Sequence, residues 1–110
     1  MSSSASSLSD LQLDHIAGLF AALAETSRLQ ILRALMTEPH TVGELCDVTG
    51  LKQPNVSRQL GVLSQAKIVA GERDGNFVRY SVSDPIVKDL CHLVCEKVVR
   101  DSKALIKPRR

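Results

Sequence analysis

Side chains that can hydrogen-bond the edges of DNA bases are concentrated in one short segment, Thr41–Leu63, with the sequence TVGELCDVTGLKQPNVSRQLGVL. Asn and Gln can form paired hydrogen bonds with adenine, and Arg can form them with guanine. At helical spacing these polar residues share one face, opposite Val56, Leu60 and Leu63. The polar face comprises Lys52, Gln53, Asn55, Arg58 and Gln59. A short helix, the turn Thr49-Gly50-Leu51 and this second helix together predict a helix-turn-helix that binds double-stranded DNA.

The predicted DNA contacts divide by their chemistry and their place in the chain. Base-edge contacts are predicted for Gln53, Asn55 and Arg58. Contacts to phosphates or the groove wall are predicted for Lys52, Ser57 and Gln59. A β-hairpin further along the chain is expected to contact phosphates or a minor groove through Arg73, Asn76 and Arg79. Arg79 lies within a strand of that hairpin, where pairing with Glu72 is the alternative to DNA contact.

A pair of thiols lies near the end of the chain. Cys91 and Cys95 are four residues apart, which on a helix places their Cβ atoms about 5 to 6 Å apart on one face. Two thiolates at this spacing suit a thiophilic inducer such as As(III) or Sb(III), with a third ligand from Cys46, His92 or the partner chain. Two alternatives stay open. The thiols fill a dimer core as small hydrophobes, or they form a redox sensor.

Apolar periodicity and turn residues predict the elements that position these side chains. Helices are expected at about 10–24, at Ser27–Met36 after an N-cap at Thr26, and at Val42–Val48. A short strand at 40–41 precedes the third of them. A recognition helix at about 53–65, a hairpin at about 68–82 and a last helix at about 85–105 follow. The predicted fold class is mainly α with a small β-hairpin, a winged helix-turn-helix extended by N- and C-terminal dimerisation helices.

We predict one domain at 10–105, preceded by a flexible Ser-rich segment at 1–9 and followed by a basic tail at 106–110. The first and last helices carry apolar faces wider than one small core requires. Such faces usually pack against another helix, so we expect them to join two copies of the chain. The residues expected in this homodimer interface are Leu13, Ile16, Phe20, Leu90, Val94 and Val98.

The composition argues against several classes of function. The chain has 110 residues, a net charge of +2 and 3% aromatic residues, too few aromatics for the base-stacking platform of a single-strand binder. No Gly-rich phosphate loop or nucleophile motif favours an enzyme. No apolar run reaches the roughly 20 residues of a membrane span. The first residues lack the pattern of a secretory signal and the cysteines are odd in number, so we expect reduced thiols in the cytoplasm.

Three collinear segments resemble the ArsR/SmtB family of bacterial repressors, and the resemblance covers nearly the whole chain. They are LAETSRLQILRAL at the second helix, TVGELCDVTGLKQPNVSRQLGVLSQAKIV at the helix-turn-helix, and ERDGNFVRYSV in the hairpin. The resemblance implies a homodimer joined through its first and last helices, and we expect this homodimer in the bacterial cytoplasm, associated with the nucleoid. The resemblance also implies a palindromic operator and release by an inducer. A winged-helix protein–protein interaction module without DNA binding is the alternative from another class.

The same resemblance bears on the sensor. The family's metalloid site in the third helix requires the pattern ELCVCDL, whereas this chain has Cys46 followed by Asp47 and Val48. One thiolate cannot form that three-coordinate site, so Cys46 is expected to be a small core residue. The family's zinc site on the last helix would begin at Asp84, but its later positions fall on Ile86, Lys97 and Arg100, which do not suit zinc. Any sensing is therefore expected on the last helix, at Cys91 and Cys95, and a redox-responsive or metal-independent repressor is the alternative.

Overall fold

Helices and strands follow one another in the predicted order. The computed structural model describes residues 7–105, and the serine-rich start at 1–6 and the basic tail at 106–110 lie outside the described residues. The elements are α1 (Asp10–Leu23), α2 (Thr26–Leu35), β1 (His40–Thr41), α3 (Val42–Thr49), α4 (Gln53–Gln65), β2 (Val69–Asp74), β3 (Phe77–Val82) and α5 (Pro85–Leu105). The predicted fold class, a winged helix-turn-helix with an added helix at each end, is confirmed.

Side-chain caps determine where several helices begin. Ser9 starts α1 with a capping box, in which its Oγ accepts from the backbone N–H of Gln12 at 3.1 Å and the Gln12 amide accepts in return. Thr41 and Glu44 form the same reciprocal pair at the start of α3. At α5, Asp84 Oδ1 accepts from the backbone N–H two residues later at 2.9 Å. These bonds satisfy N–H groups that have no partner within the helix.

The second helix begins one residue before the predicted position. Glu25, rather than Thr26, is the N-cap: its backbone is extended, and its carboxylate accepts from the backbone N–H of Arg28 at 3.1 Å. A carboxylate at this position is also favoured by the positive end of the helix dipole, which a hydroxyl group does not exploit. The N-cap expected at Thr26 and the start at Ser27 are therefore wrong by one residue.

The end of α4 directs the chain into the hairpin. Lys67 has a φ of 62°, in the left-handed region. Its N–H donates to Ser64 O at 2.9 Å, and the N–H of Ile68 donates to Leu63 O at the same distance. This is the paired pattern of a Schellman motif, and the side chains of Leu63 and Ile68, both fully buried, supply its apolar contact. The motif fixes the direction in which β2 leaves the recognition helix.

The hairpin of β2 and β3, which we call the wing, belongs to a three-stranded antiparallel sheet in the order β1-β3-β2. His40 pairs with Tyr80, which attaches the wing to the chain just before α3. Gly75 turns the hairpin with a φ of 65°. A Cβ on Gly71 would lie 2.7 Å from Val78 Cγ1 and 2.9 Å from Tyr80 Cε2, so only glycine fits there without displacement.

The core lies between α2, α3, α4 and the start of the wing. Its fully buried large side chains are Ile31, Leu32, Leu45, Val56, Leu63 and Ile68. Among the described side chains of the two terminal helices, only Ala22 of α1 and Val87 of α5 are fully buried in it. Most of the apolar surface of α1 and α5 therefore has no partner within the described part of the chain. No helix among residues 7–105 is long and apolar enough to cross a membrane.

Candidate nucleic-acid interface

The first two turns of α4 present a polar face. Lys52, at the N-cap position, makes no side-chain cap, and its ammonium is exposed. Gln53, Ser57 and Arg58 are also exposed. Pro54 is tolerated in the first turn because the N–H that it lacks would have no helical partner. The helix therefore offers donors and acceptors from its N-terminal half, the part that enters the major groove in helix-turn-helix proteins.

Asn55 is held from two sides. Its Oδ1 accepts from Gln59 Nε2 at 2.9 Å and from Arg58 Nη2 at 3.1 Å. Gln59 is only 5% exposed, so the predicted contact of Gln59 with phosphates or the groove wall is corrected. Position 59 lies beside the buried stripe of Val56 and Leu60, and both ends of its amide are used inside the protein. Gln59 supports Asn55 rather than facing DNA.

Arg28 completes this arrangement, a role that was not predicted from the sequence. Its Nη1 donates to Gln59 Oε1 at 2.8 Å, and its Nε and Nη2 donate to the carbonyls of Ala22 and Ala21 at 2.6 and 3.3 Å. One guanidinium thus joins the last turn of α1, helix α2 and helix α4. The sequence did hold one indication of this role. Arg28 directly precedes the apolar stripe of α2, and a charged side chain that is partly buried there requires hydrogen-bond partners.

The wing presents Arg73 and Asn76 as exposed side chains near its tip. Arg79 differs from them, because its Nε donates to Asp74 Oδ2 and its Nη1 to Glu44 Oε1, both at 3.1 Å. Arg79 lies opposite Glu72 in the sheet, but the predicted pairing with Glu72 is replaced by these two carboxylates. The hydrogen bond to Asp74 and the charge of Glu44 raise the pKa of Arg79. Arg79 therefore ties the wing to α3 instead of pointing freely outward.

Glu44 is the centre of the charges that join the wing to α3. Its Oε1 accepts from the backbone N–H of Thr41 and from Arg79, and it lies 3.5 Å from His40 Nδ1. The hydrogen bond from Thr41 contributes most to lowering the pKa of this carboxyl; desolvation opposes it, and the nearby Arg79 and His40 lower the pKa further. The wing is thus oriented relative to the helix-turn-helix by an ion pair as well as by strand pairing.

The cysteines do not form a closed metal site within one chain. Cys46 and Cys91 are half-buried against the core, whereas Cys95 is exposed, and all three thiols are free. Burial, and then the neighbouring Cys95, raise the pKa of Cys91. Among the described side chains, no three His, Cys, Asp or Glu residues are grouped to hold a metal ion. The expectation that Cys46 or His92 of the same chain completes a site with the thiol pair is therefore corrected, since those residues do not converge on it.

The residues predicted for the dimer interface occupy apolar faces that the chain does not cover. Phe20 is 52% exposed and Leu13 and Ile16 are also exposed on α1, while Val94 and Val98 are exposed on α5 and Leu90 is half-buried. Further exposed apolar residues of these two helices that the prediction omitted are Leu11, Ile86, Leu93 and Val99. These side chains add to the apolar surface of α1 and α5 that has no partner in the described chain.

Comparison with known proteins connects this geometry to a family. A family model described as "Bacterial regulatory protein, arsR family" matches residues 25–70, from the cap of α2 into β2. The uncharacterized HTH-type transcriptional regulator Rv0081 of Mycobacterium tuberculosis is 38% identical over 98 residues, which are 86% of each chain. The probable mercury resistance operon repressor of Streptomyces lividans is 40% identical over 80 residues, covering 73% of this chain and 64% of the relative.

Solved structures agree with the sequence comparison. The crystal structure of M. tuberculosis Rv0081 superposes with a TM-score of 0.77 at 36% identity, covering 89% of this chain and 99% of the other. The homodimeric winged helix-turn-helix DNA-binding domain of Mb0332 from Mycobacterium bovis, described as a possible ArsR-family regulator, gives a TM-score of 0.76 at 30% identity. That match covers 94% of this chain and 96% of the other. The similarity therefore includes both terminal helices as well as the winged unit of residues 26–82.

Proposed function

The chain belongs to the ArsR family of bacterial transcriptional regulators, and on that premise we propose that it is a homodimeric repressor released from a palindromic operator by an inducer. The family consists of transcriptional regulators rather than enzymes. The observation that carries the proposal is the exposed polar face at the start of α4, backed by a buried apolar stripe and followed by a wing. We propose that the DNA-binding homodimer is located in the cytoplasm, associated with the nucleoid.

The proposed contacts follow the exposure of each side chain. Gln53, Asn55 and Arg58 contact base edges, and Lys52 and Ser57 contact phosphates. In the wing, Arg73 and Asn76 contact phosphates or the minor groove. Gln59 and Arg79 act indirectly, because their polar atoms are already bonded within the protein. The domain that carries these contacts is proposed to be residues 10–105.

The proposed homodimer uses the uncovered faces of α1 and α5. Apolar surface exposed on two helices is unfavourable in water and would be removed by pairing with a second copy. The related Mb0332 domain is described as homodimeric. A two-fold dimer presents two copies of α4, and this symmetry matches that of a palindromic operator.

For the inducer, we propose a thiophilic ion bound by Cys91 and Cys95. The pair lies on the α5 stripe, where Cys91 faces the core and Cys95 is exposed, so a third donor has to come from the partner subunit or from solvent. As(III), Sb(III) or another soft ion fits two thiolates. The similarity to a probable mercury resistance operon repressor supports this class of inducer. Burial raises the pKa of Cys91, so a bound ion would have to displace the proton of this thiol.

A DNA-binding titration tests the main proposal. Fluorescence anisotropy with duplexes from the region upstream of the protein's own gene is expected to show sequence-dependent binding that weakens as salt rises. A random duplex of equal length is the control. A protein–protein module that shares this fold would show no salt-dependent affinity for either duplex, and that result would overturn the proposed function.

The inducer is tested on the preformed DNA complex. Arsenite, antimonite and Hg(II) are added in turn to complexes of the wild type, Cys91→Ser and Cys95→Ser, with Cys46→Ser as the matched control. We expect release of the wild type and of Cys46→Ser, and little release of the other two variants. Equal release of all four proteins would contradict the assignment to α5. Release by oxidant but by no soft ion would establish the redox alternative instead.

A further inference from the structure

A chain of hydrogen bonds leads from the half-buried Arg28 of α2 to the polar face of α4. It runs from Arg28 to Gln59, from Gln59 to Asn55, and ends where Arg58 also bonds Asn55. We propose that Arg28, which lies away from the exposed face, determines which hydrogen-bonding groups Asn55 offers to a base. This inference rests on the proposed function, because it requires that α4 enters the major groove.

The polarity of the chain follows from the chemistry of its first member. A guanidinium has only donors, so the amide of Gln59 must turn its oxygen toward Arg28. The Gln59 nitrogen then faces Asn55 and donates to it, so Asn55 must accept this hydrogen bond with its own amide oxygen. Each amide has one acceptor end and one donor end, so fixing the first amide also fixes the second. Arg58, which is again donor-only, meets the same oxygen and agrees with this polarity.

The opposite polarity is disfavoured by burial. Gln59 is 5% exposed, so water does not readily replace a lost partner. Turning its amide around would place an NH₂ group against the Arg28 guanidinium and an oxygen against the Asn55 oxygen. Both contacts would leave buried polar groups unpaired, which is strongly unfavourable. Arg28 itself is held by the carbonyls of Ala21 and Ala22, so it does not turn away.

The consequence concerns the outward side of Asn55. Its oxygen already accepts two hydrogen bonds, whereas its NH₂ group has no acceptor among the described residues. Asn55 therefore presents donors to the groove, and the acceptors that match them are purine N7, guanine O6 and thymine O4. Paired recognition of adenine, which also requires the amide oxygen to accept, is disfavoured while Gln59 holds that oxygen inward.

The substitution Gln59→Glu tests this inference directly. A carboxylate keeps its bond with Arg28 but cannot donate to Asn55, so the Asn55 amide is expected to turn and present its oxygen. The preferred base at that position should then change to one with an outward donor, adenine N6 or cytosine N4. Arg28→Met removes the guanidinium that orients the Gln59 amide, so it should reduce the preference for the base at Asn55 without reversing it. Arg28→Lys, whose ammonium also has only donors, should keep the wild-type preference.

The measurement is selection from a randomised duplex library with the full-length protein, followed by anisotropy on matched sites. Asn55→Ala first identifies the base pair concerned, as the position at which preference is lost. We expect discrimination at that pair to change on the order of tenfold in Gln59→Glu, with an unchanged slope of affinity against salt. Circular dichroism confirms folding, and the comparison of Gln59→Glu with Arg28→Lys decides the question even where Arg28→Met does not fold.

The outcomes separate the inference from the proposed function. A wild-type protein that selects no motif would overturn the proposed function, and the base-contact role of Asn55 with it. A wild-type protein that selects a motif which Gln59→Glu selects unchanged would overturn only the inference. A uniform loss of affinity in the variants, without a change of preferred base, would also overturn it, because it would indicate a purely structural role.

Discussion

Among the side chains of α4, Arg58 should contribute most to operator affinity, because its guanidinium is exposed. In the free protein it bonds Asn55, which keeps its second bond to Gln59 when Arg58 is removed. Arg58→Ala should therefore weaken operator binding by about tenfold or more, the size of one paired base contact, and leave folding and the dimer intact. A gel-shift titration together with sedimentation measures both quantities. An unchanged affinity would remove Arg58 from the interface.

Lys52 is expected to act through charge alone. Its exposed ammonium lies at the N-cap of α4, where a neutralised phosphate would release its counterions. Lys52→Ala should therefore reduce the slope of log affinity against log salt by about 0.9 and weaken binding to all sequences alike. The matched control is Lys88→Ala on α5, outside the winged unit. Equal slopes for both variants would place Lys52 away from the backbone of DNA.

Because of the charge on Glu44, the free energy of unfolding should depend on pH. Its pKa is lowered in the folded protein from an ordinary value of 4.5, so its contribution is present above that pH and is lost as the pH falls through the lowered value. Glu44→Gln keeps an oxygen for the Thr41 cap and removes only the charge. Its melting temperature should fall below that of the wild type at pH 7, and the difference should shrink as the pH falls through the lowered pKa. A difference that stays constant as the pH falls would contradict the electrostatic origin.

At the scale of the element, the wing depends on close contact at Gly71. An added Cβ meets Val78 and Tyr80 at less than 3.0 Å, so Gly71→Ala should lower the free energy of unfolding by about 1 to 3 kcal/mol. Gly43→Ala is the matched control, because its Cβ meets only Thr41 Oγ1, at 4.0 Å. Urea denaturation of both variants provides the measurement. Equal stabilities would show that the wing relaxes without cost.

The helices and the hairpin could be predicted because their signals are local. The buried stripes of α2 and α4 recur at helical spacing, and Gly75 marks the turn of the wing. The hydrogen-bond chain could not be predicted, since Arg28 and Gln59 are 31 residues apart and meet only after α2 and α4 have packed. The error at Gln59 has the same origin. A residue at the edge of a buried stripe faces inward or outward according to what packs beside it.

At the scale of the whole molecule, the uncovered faces of α1 and α5 predict obligatory pairing. Phe20→Glu places a charge in the proposed interface and should convert the dimer to a monomer, because burying an unpaired charge is very unfavourable. Phe77→Glu is the control, since Phe77 is 64% exposed but lies on the wing. Analytical ultracentrifugation should show a monomer for the first variant and a dimer for the second. A dimer in both cases would exclude α1 from the interface.

The bond between Arg79 and Glu44 bears on how the proposed inducer would act. Together with the pairing of β1 and β3, it connects the wing to α3 within each subunit of the proposed dimer. An inducer bound at the proposed α5 site is therefore expected to move the wing and the helix-turn-helix together. Such a movement of one subunit relative to the other would take the two α4 helices out of register with successive major grooves, which are about 34 Å apart. Repression would thus be controlled by the distance between the two α4 helices, while each helix keeps its own structure.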